Sequence, residues 1–277
     1  MAKRRQSQGS QLPAKADNPH QTTPRPASVT LSSLGLSSWS QSSDGFDPSI
    51  QVLHFTQVTN LEGISRRGLL LRSQLSRAKE AQHSVNDHTR IDERVFAGGG
   101  LCLSLGHPNA QLLFRFSQAE SGREYIILEL DPHILKAREN YLVCPTNAAS
   151  NEVWELQKTA PNSLKAKGSI PELFARKIVR SGTEIYLRPA NLPTWYTTDP
   201  QAELLYLQNI PRSRITRIYC PGVLTRQKVE EFVSSSNWNV DVEVDAPLFR
   251  TRSDSSEWKN SRSDPHDFRD RVEKHRG

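Results

Sequence analysis

Cysteine is scarce: three in 277 residues, at Cys102, Cys144 and Cys220. An odd number at wide spacing, each beside apolar or proline residues, excludes a disulfide framework and a zinc-ligand array. They are expected to be reduced thiols buried as small core residues. Long apolar runs are also missing. No stretch approaches the roughly 20 residues that span a bilayer, which excludes a transmembrane helix. The opening MAKRRQSQGS is basic like a signal peptide, but the LSSLGLSSW that comes later is too short and serine-rich for an apolar h-region. The expected compartment is therefore the cytoplasm, with no membrane contact. The familiar phosphate and catalytic signatures are absent as well. There is no GxxxxGK[ST], and the AGGG at 97–100 lacks the strand-before, helix-after context of a dinucleotide fingerprint. No HExxH, GxSxG or CxxC occurs, which argues against a metal-dependent or triad hydrolase, and no metal is expected.

What the chain does have is polarity gathered at its ends. Residues 1–48 hold ten serines and five prolines, and residues 250–277 are almost all charged or polar. Neither end can bury enough apolar surface to offset the entropy of ordering it, so both read as disordered tails. Residues 49–249 read as one folded domain. The net charge is +6. A basic excess of that size fits a polyanion partner or simply solubilising tails, and does not choose between them.

The middle of the chain mixes strand and helix patterns without a βαβ rhythm, which predicts an α+β fold. Strands are expected at IQVLHF (50–55), LCLSL (101–105), EYIILELD (124–131), NYLVC (140–144), QAELLYLQ (201–208), ITRIYC (215–220) and VDVEV (240–244). EYIILELD is apolar on both faces and should be central. After Thr59 or Asn60 a helix carries Leu61 and Ile64 on one face and stops at Gly68; LTRQKVEEFVSSS (224–236) is a second. NAQLLFRF is helix or strand, 72–100 helix or surface loop, and 146–178 helical in pieces, anchored by Trp154, Leu156, Leu173 and Phe174. RPANLPTWYTTDP (188–200) has three prolines and no periodicity, and long irregular loops inside a compact domain are usually functional.

Several polar residues sit against these strands. His54 falls inside the first strand with Thr56 on the same face; alone, such a residue is more often a structural histidine. Glu203 is a carboxylate entering an apolar strand just after the long loop, or else the solvated face of an edge strand. Arg90, in NDHTRID, is one of several charges in a polar segment.

Taken in order, these residues match a pattern. LHFTQVTNLEGISRRGLLL (53–71), NDHTRID (86–92), LCLSLGHPN (101–109), YIILELDPHIL (125–135), TNAAS (146–150) and DPQAELLYLQNIPRSRITRIY (199–219) resemble the DarT-type ADP-ribosyltransferases, enzymes that attach ADP-ribose from NAD⁺ to a base in single-stranded DNA. The resemblance implies an ADP-ribosyltransferase-like domain: a central mixed or antiparallel β-sheet core with flanking helices, leaving the tails outside the pattern.

Carried over residue by residue, it implies a pocket for NAD⁺ lined by His54, Phe55 and Thr56, with Gly63 and Leu71 along the bound molecule. Glu203 would be the catalytic glutamate. Arg90 would contact the NAD⁺ phosphate and assist proton movement at the target base, with Arg94 the rival for that role. The loop at 188–200 would present DNA, where Trp195 and Tyr196 either stack on bases or anchor the loop. Such chemistry suits a carboxylate, because cleaving the nicotinamide–ribose bond builds oxocarbenium-like charge. The HPN and TNAAS elements are closer to the branch that modifies guanine than to the branch that modifies thymine. A toxin paired with a separate ADP-ribose-removing antitoxin is implied. The same chemistry on RNA or protein, or an inert nucleic-acid-binding module of the same fold, are the alternatives.

Overall fold

The computed structural model describes residues 49–75, 99–119, 122–150, 153, 155, 157–158, 164, 169–180, 184–252 and 254. Nine strands are described: β1 (Val52–Gln57), β2 (Leu101–Leu105), β3 (Tyr125–Leu130), β4 (Tyr141–Cys144), β5 (Lys177–Arg180), β6 (Glu184–Leu187), β7 (Glu203–Tyr206), β8 (Ile215–Cys220) and β9 (Asp241–Val244). Helices α1 (Leu61–Arg67), α2 (Arg72–Leu75), α3 (Ala110–Ala119), α4 (Ser169–Glu172) and α5 (Val223–Ser235) lie between them. Seven strands form one sheet in the order β4-β7-β2-β1-β3-β8-β9, and β5 and β6 form a separate hairpin. All pairs in the large sheet are antiparallel except β8–β9, so the fold is α+β with a mixed sheet.

The pattern of the sequence explains the layers. Even-numbered β1 and β3 residues and odd-numbered β2 residues face one way: Val52, Leu103, Ile126, Leu128 and Leu130 join Leu204 and Ile218 in the main core, beneath α1 and α5. The opposite face carries two smaller apolar clusters. One, at the β4–β7 end, contains Leu142, Cys144, Ala148 and Leu205. The other contains Leu53, Leu113, Tyr125, Ile127 and Tyr219, covered by α3. β3 is apolar on both faces and lies between β1 and β8, inside the sheet, because a strand covered on both sides needs no polar alternation.

Several expectations shift. β1 lies two residues later than IQVLHF, NAQLLFRF is helical in α3, and the strand within 201–208 is confined to Glu203–Tyr206. The β5–β6 hairpin falls partly in the stretch read as helical; Leu173 and Phe174 are buried there as expected, while Trp154 and Leu156 lie outside the described residues. Cys144 and Cys220 are buried, but Cys102 is only half-buried. Arg252 and Asp254, placed in the charged tail by composition, are buried in the folded body. Gly68 ends α1 with φ +76°, and a Cβ there would lie 2.1 Å from the Ile210 carbonyl oxygen, so the close β-bridge Leu69–Ile210 requires glycine. Among the described residues no helix is long and apolar enough to cross a membrane.

Candidate active site

β1 pairs with β3 along its whole length, through Gln57, but its register with β2 is confined to Val52–Leu105 and Leu53–Ser104. Beyond Leu53 the sheet opens between β1 and β2, and His54 stands at the opening. Its ring Nδ1 lies 2.9 Å from the Cys102 carbonyl oxygen of β2. A carbonyl only accepts, so Nδ1 carries the proton and donates, leaving Nε2 as the acceptor of a neutral ring. Burial lowers the pKa of His54 from its ordinary value, which keeps the ring neutral near pH 7; the Cys102 bond opposes that shift without outweighing it.

Glu203 begins β7, one strand beyond β2. Alternation turns it away from Leu204 and the main core, to the face it shares with Ser104 and Leu205. The residue is 2% exposed. Its Oε1 accepts from the Asn109 side-chain amide at 2.9 Å, and its Oε2 from the Ala148 backbone N–H at 3.0 Å. Both donors are built by the local sequence. Asn109 is the N-cap of α3: its Oδ1 accepts from the Leu112 N–H at 3.2 Å, and its own N–H donates to Ser104 Oγ at 3.1 Å. Asn147 folds the TNAAS segment into a turn by accepting from the Ala149 N–H at 2.8 Å, which aims the preceding N–H at Glu203. One carboxylate is thus held by a helix cap and a turn.

The segment leading into Glu203 is ordered mainly by side chains. Arg188 donates to the Tyr196 carbonyl at 2.7 Å, to Thr198 Oγ1 at 3.1 Å and to the Pro193 carbonyl at 2.5 Å. Burial, with Arg252 nearby, lowers its pKa to about 10, so it stays cationic at neutral pH. Thr197 Oγ1 donates to the Asp199 carbonyl at 2.7 Å, and Asp199 Oδ1 accepts from the Gln201 N–H at 2.8 Å, closing the turn into β7. Gly106 passes beneath this loop at φ +72°, where a Cβ would lie 1.9 Å from the Trp195 carbonyl oxygen. Trp195 is 39% exposed, whereas Tyr196 is half-buried, edge-on to His107 with ring centroids 5.2 Å apart.

The structure therefore joins Glu203 to the HPN and TNAAS elements and sets His54 at the opening beside β2. The other pocket candidates are more scattered. Thr56 is buried on the His54 face, where its Oγ1 accepts from the Asn60 amide at 2.9 Å. Phe55 points to the opposite face and packs on Phe116 and Tyr125, a core role. On α1, Gly63 faces open space, and Leu71 packs against the main core while its N–H donates to Asn209 Oδ1. Arg90 and Arg94 lie outside the described residues. Asn109, Ala148 and Arg188 do not stand out as site residues in the sequence. The first two lie in the HPN and TNAAS elements of the resemblance, the signal available for them; Arg188 opens the 188–200 loop, and nothing in the sequence marks its role there. Among the described residues no group of histidine, cysteine, aspartate or glutamate is arranged to hold a metal ion.

The sheet thus carries a buried carboxylate with ordered donors on β7 and a neutral histidine on β1, with β2 between their strands; strand alternation sets the two on opposite faces. A family model described as ssDNA thymidine ADP-ribosyltransferase, DarT, matches residues 53–250, and the chain belongs to that family. Among solved structures, Thermosipho africanus DarTG in complex with ADP-ribose is 19% identical with a TM-score of 0.47; the match covers 72% of this chain and 50% of that one, so this chain spans about half of the DarTG chain. Thermus sp. 2.9 DarT in complex with NAD⁺ is 16% identical with a TM-score of 0.46, covering 74% of this chain and 98% of that one. The same Thermus protein in complex with ADP-ribosylated ssDNA matches at 15% identity and TM-score 0.46, with the same coverage. No curated protein matches the sequence.

Proposed function

We propose that this protein transfers ADP-ribose from NAD⁺ to a base of single-stranded DNA, with Glu203 as the catalytic carboxylate. The observation that carries the reading is the Glu203 carboxylate itself, buried and oriented by the Asn109 amide and the Ala148 backbone N–H. A buried carboxylate held in a fixed orientation is suited to stabilising positive charge that develops beside it. In the proposed reaction the bond between nicotinamide and ribose C1′ breaks, and nicotinamide leaves neutral with the electron pair. The positive charge that grows on the ribose is stabilised by Glu203, as carboxylates stabilise it in glycosidases. A nitrogen of the base then bonds to C1′ and gives up its proton; Glu203, with Arg90 as the partner implied by the resemblance, takes that role.

His54 suits the donor side. A neutral ring with Nδ1 committed to Cys102 offers Nε2 to a ribose hydroxyl, which an imidazolium cannot do. Thr56 on β1, Gly63 on α1 and Leu71 just beyond α1 are assigned to the NAD⁺ side. The loop at 188–200 is assigned to the acceptor side, with exposed Trp195 as a stacking surface; a base stacked on an aromatic is worth about 1–3 kcal/mol. A base must leave its stack to react, which favours single strands. For the base, guanine is the first candidate on the HPN and TNAAS elements, and thymine the second on the family's own description. The physiological role we assign is a toxin checked by a separate ADP-ribose-removing antitoxin.

The test is incubation of the purified protein with labelled NAD⁺ and four single-stranded oligonucleotides of different base content, wild type beside Glu203→Ala. Label on one base type, lost in the variant, supports both the reaction and the acceptor. Nicotinamide release by wild type without transfer to any DNA moves the acceptor to RNA or protein. Neither transfer nor release from folded protein overturns the reading in favour of a binding module.

A further inference from the structure

The family match ends at residue 250, yet two residues further on the chain places a buried ion pair against the loop that leads into Glu203. Arg252 donates from Nε and Nη2 to the two Asp254 oxygens at 2.9 and 2.7 Å, a bidentate fork. Its remaining arm, Nη1, donates to the Thr197 carbonyl at 2.9 Å. The guanidinium also lies over the Tyr196 ring, 5.1 Å from the centroid. Tyr196 in turn meets His107, the first residue of the HPN element whose asparagine holds Glu203. One buried side chain from the C-terminal segment thus touches the loop at two consecutive residues and backs onto the turn carrying the glutamate's partner.

The loop needs this support, because it has little of the usual kind. Between 188 and 200 its backbone makes short turn bonds, such as Leu192 to Pro189 and Tyr196 to Pro193, plus one bond each to Arg176 and Leu173. Arg188 holds it from the β6 side. Arg252 is the corresponding hold from the other side. A buried pair adds little net stability over apolar residues of the same volume, so its value here is geometric.

We propose that Arg252 and Asp254 are positioning residues: the segment beyond the family pattern clips the acceptor loop in the geometry that presents single-stranded DNA to Glu203. The proposal rests on the reading of the protein as a DNA ADP-ribosyltransferase for its acceptor half, and on the structure alone for its loop-holding half.

Two full-length variants test it: Arg252→Lys, which keeps the charge but loses the fork, and Arg252→Met/Asp254→Leu, which replaces the pair with apolar volume. Amide hydrogen exchange of the 192–200 peptide reads the loop directly, and the β3 peptide reports the sheet. Both variants should speed exchange in 192–200 at least about 10-fold with β3 unchanged. The KM for a single-stranded oligonucleotide should rise by about 10- to 100-fold, the range that a misplacement of about 1 Å produces. The KM for NAD⁺ and nicotinamide release without DNA should stay within about twofold, since the residues assigned to NAD⁺ lie on β1 and α1 and Arg252 makes no hydrogen bond to the Asn109 and Ala148 donors that orient Glu203. Unchanged loop exchange, a parallel loss of NAD⁺ cleavage, or global unfolding of the double variant would each overturn the proposal. If wild type modifies no oligonucleotide, the functional reading fails, and the exchange measurement still decides whether the segment holds the loop.

Discussion

The two halves of this molecule are ordered by different physics. From β1 through β3 to β8, order comes from backbone ladders and apolar burial: six residue pairs join β1 to β3, and Ile126, Ile127, Leu128 and Leu130 are fully buried. From β6 to β7, and around Glu203, order comes from polar side chains: Arg188, Thr197, Asp199 and Arg252 on the loop, Asn109 beside the carboxylate. The first kind is non-directional and stabilises the fold. The second is directional and contributes less net stability, but it fixes atoms to within a hydrogen bond. The site proposed around Glu203 needs the second kind, and the apolar half supplies the rigid body on which to build it.

Substitutions in the two halves should therefore separate stability from chemistry. The largest effect expected is on chemistry: Glu203→Gln keeps the shape and removes the charge, so transfer should fall by about 1000-fold or more with the melting temperature little changed. A melting temperature that collapsed with it would mean the carboxylate is structural. The converse is Leu128→Ala in the apolar half. Removing a fully buried leucine from the centre of the sheet should cost about 2–5 kcal/mol in denaturant unfolding, while kcat of the folded fraction stays near wild type. If Leu128→Ala abolished turnover at temperatures where it is folded, the division between the halves would be wrong.

The same division explains what could be read from the sequence. ITRIYC is β8 residue for residue, and EYIILELD contains β3, because apolar alternation and burial leave a one-dimensional signal. Glu203 was legible as a carboxylate in an otherwise apolar strand, and His54 as a polar residue in β1. Their partners were not. Asn109 opens NAQLLFRF, which the sequence leaves as helix or strand, and nothing in the chain says that its amide reaches a residue 94 positions away. Ala148 acts through a backbone N–H, which leaves no trace in side-chain chemistry. Arg252 was hidden by composition, since a polar window reads as tail even when one arginine in it finds a buried acid and a loop carbonyl. The β5–β6 hairpin is missed because its strands are only four residues long: β5 begins at the end of the stretch read as helical, and β6 lies beyond it.

The contrast also has a pH signature. His107 is buried beside the loop, and burial, helped by the nearby Arg252 charge and opposed by the Pro108 carbonyl, pushes its pKa down to about 4. A group with a depressed folded pKa binds its proton in the unfolded chain first. Its contribution is complete above about 6.5 and is lost as the pH falls toward about 4. Over that window the loss attributable to His107 should be about 3 kcal/mol, taking 1.36 kcal/mol per pKa unit. His107→Phe, which keeps a ring against Tyr196, should flatten the dependence of unfolding free energy on pH between those limits. An unchanged slope would mean that other groups, His54 among them, carry it.

The smallest and most discriminating effect is at Asn109, where both kinds of order meet in one side chain. Its Oδ1 caps α3 and its Nδ2 holds Glu203. Asn109→Ser retains a capping oxygen but is too short to replace the amide donor. Asn109→Ala loses both. The alanine variant should be about 1 kcal/mol less stable than the serine variant, for the cap. In kcat the two should fall alike, since each lacks a donor to a charged group, worth about 1.5–3 kcal/mol or roughly 10- to 100-fold. Denaturant unfolding and single-turnover transfer on the same two variants read the two quantities separately. If the serine variant recovered rate along with stability, the hold on Glu203 would be a by-product of the helix cap; an equal loss of rate at unequal stability would mean that the amide orients the carboxylate in its own right.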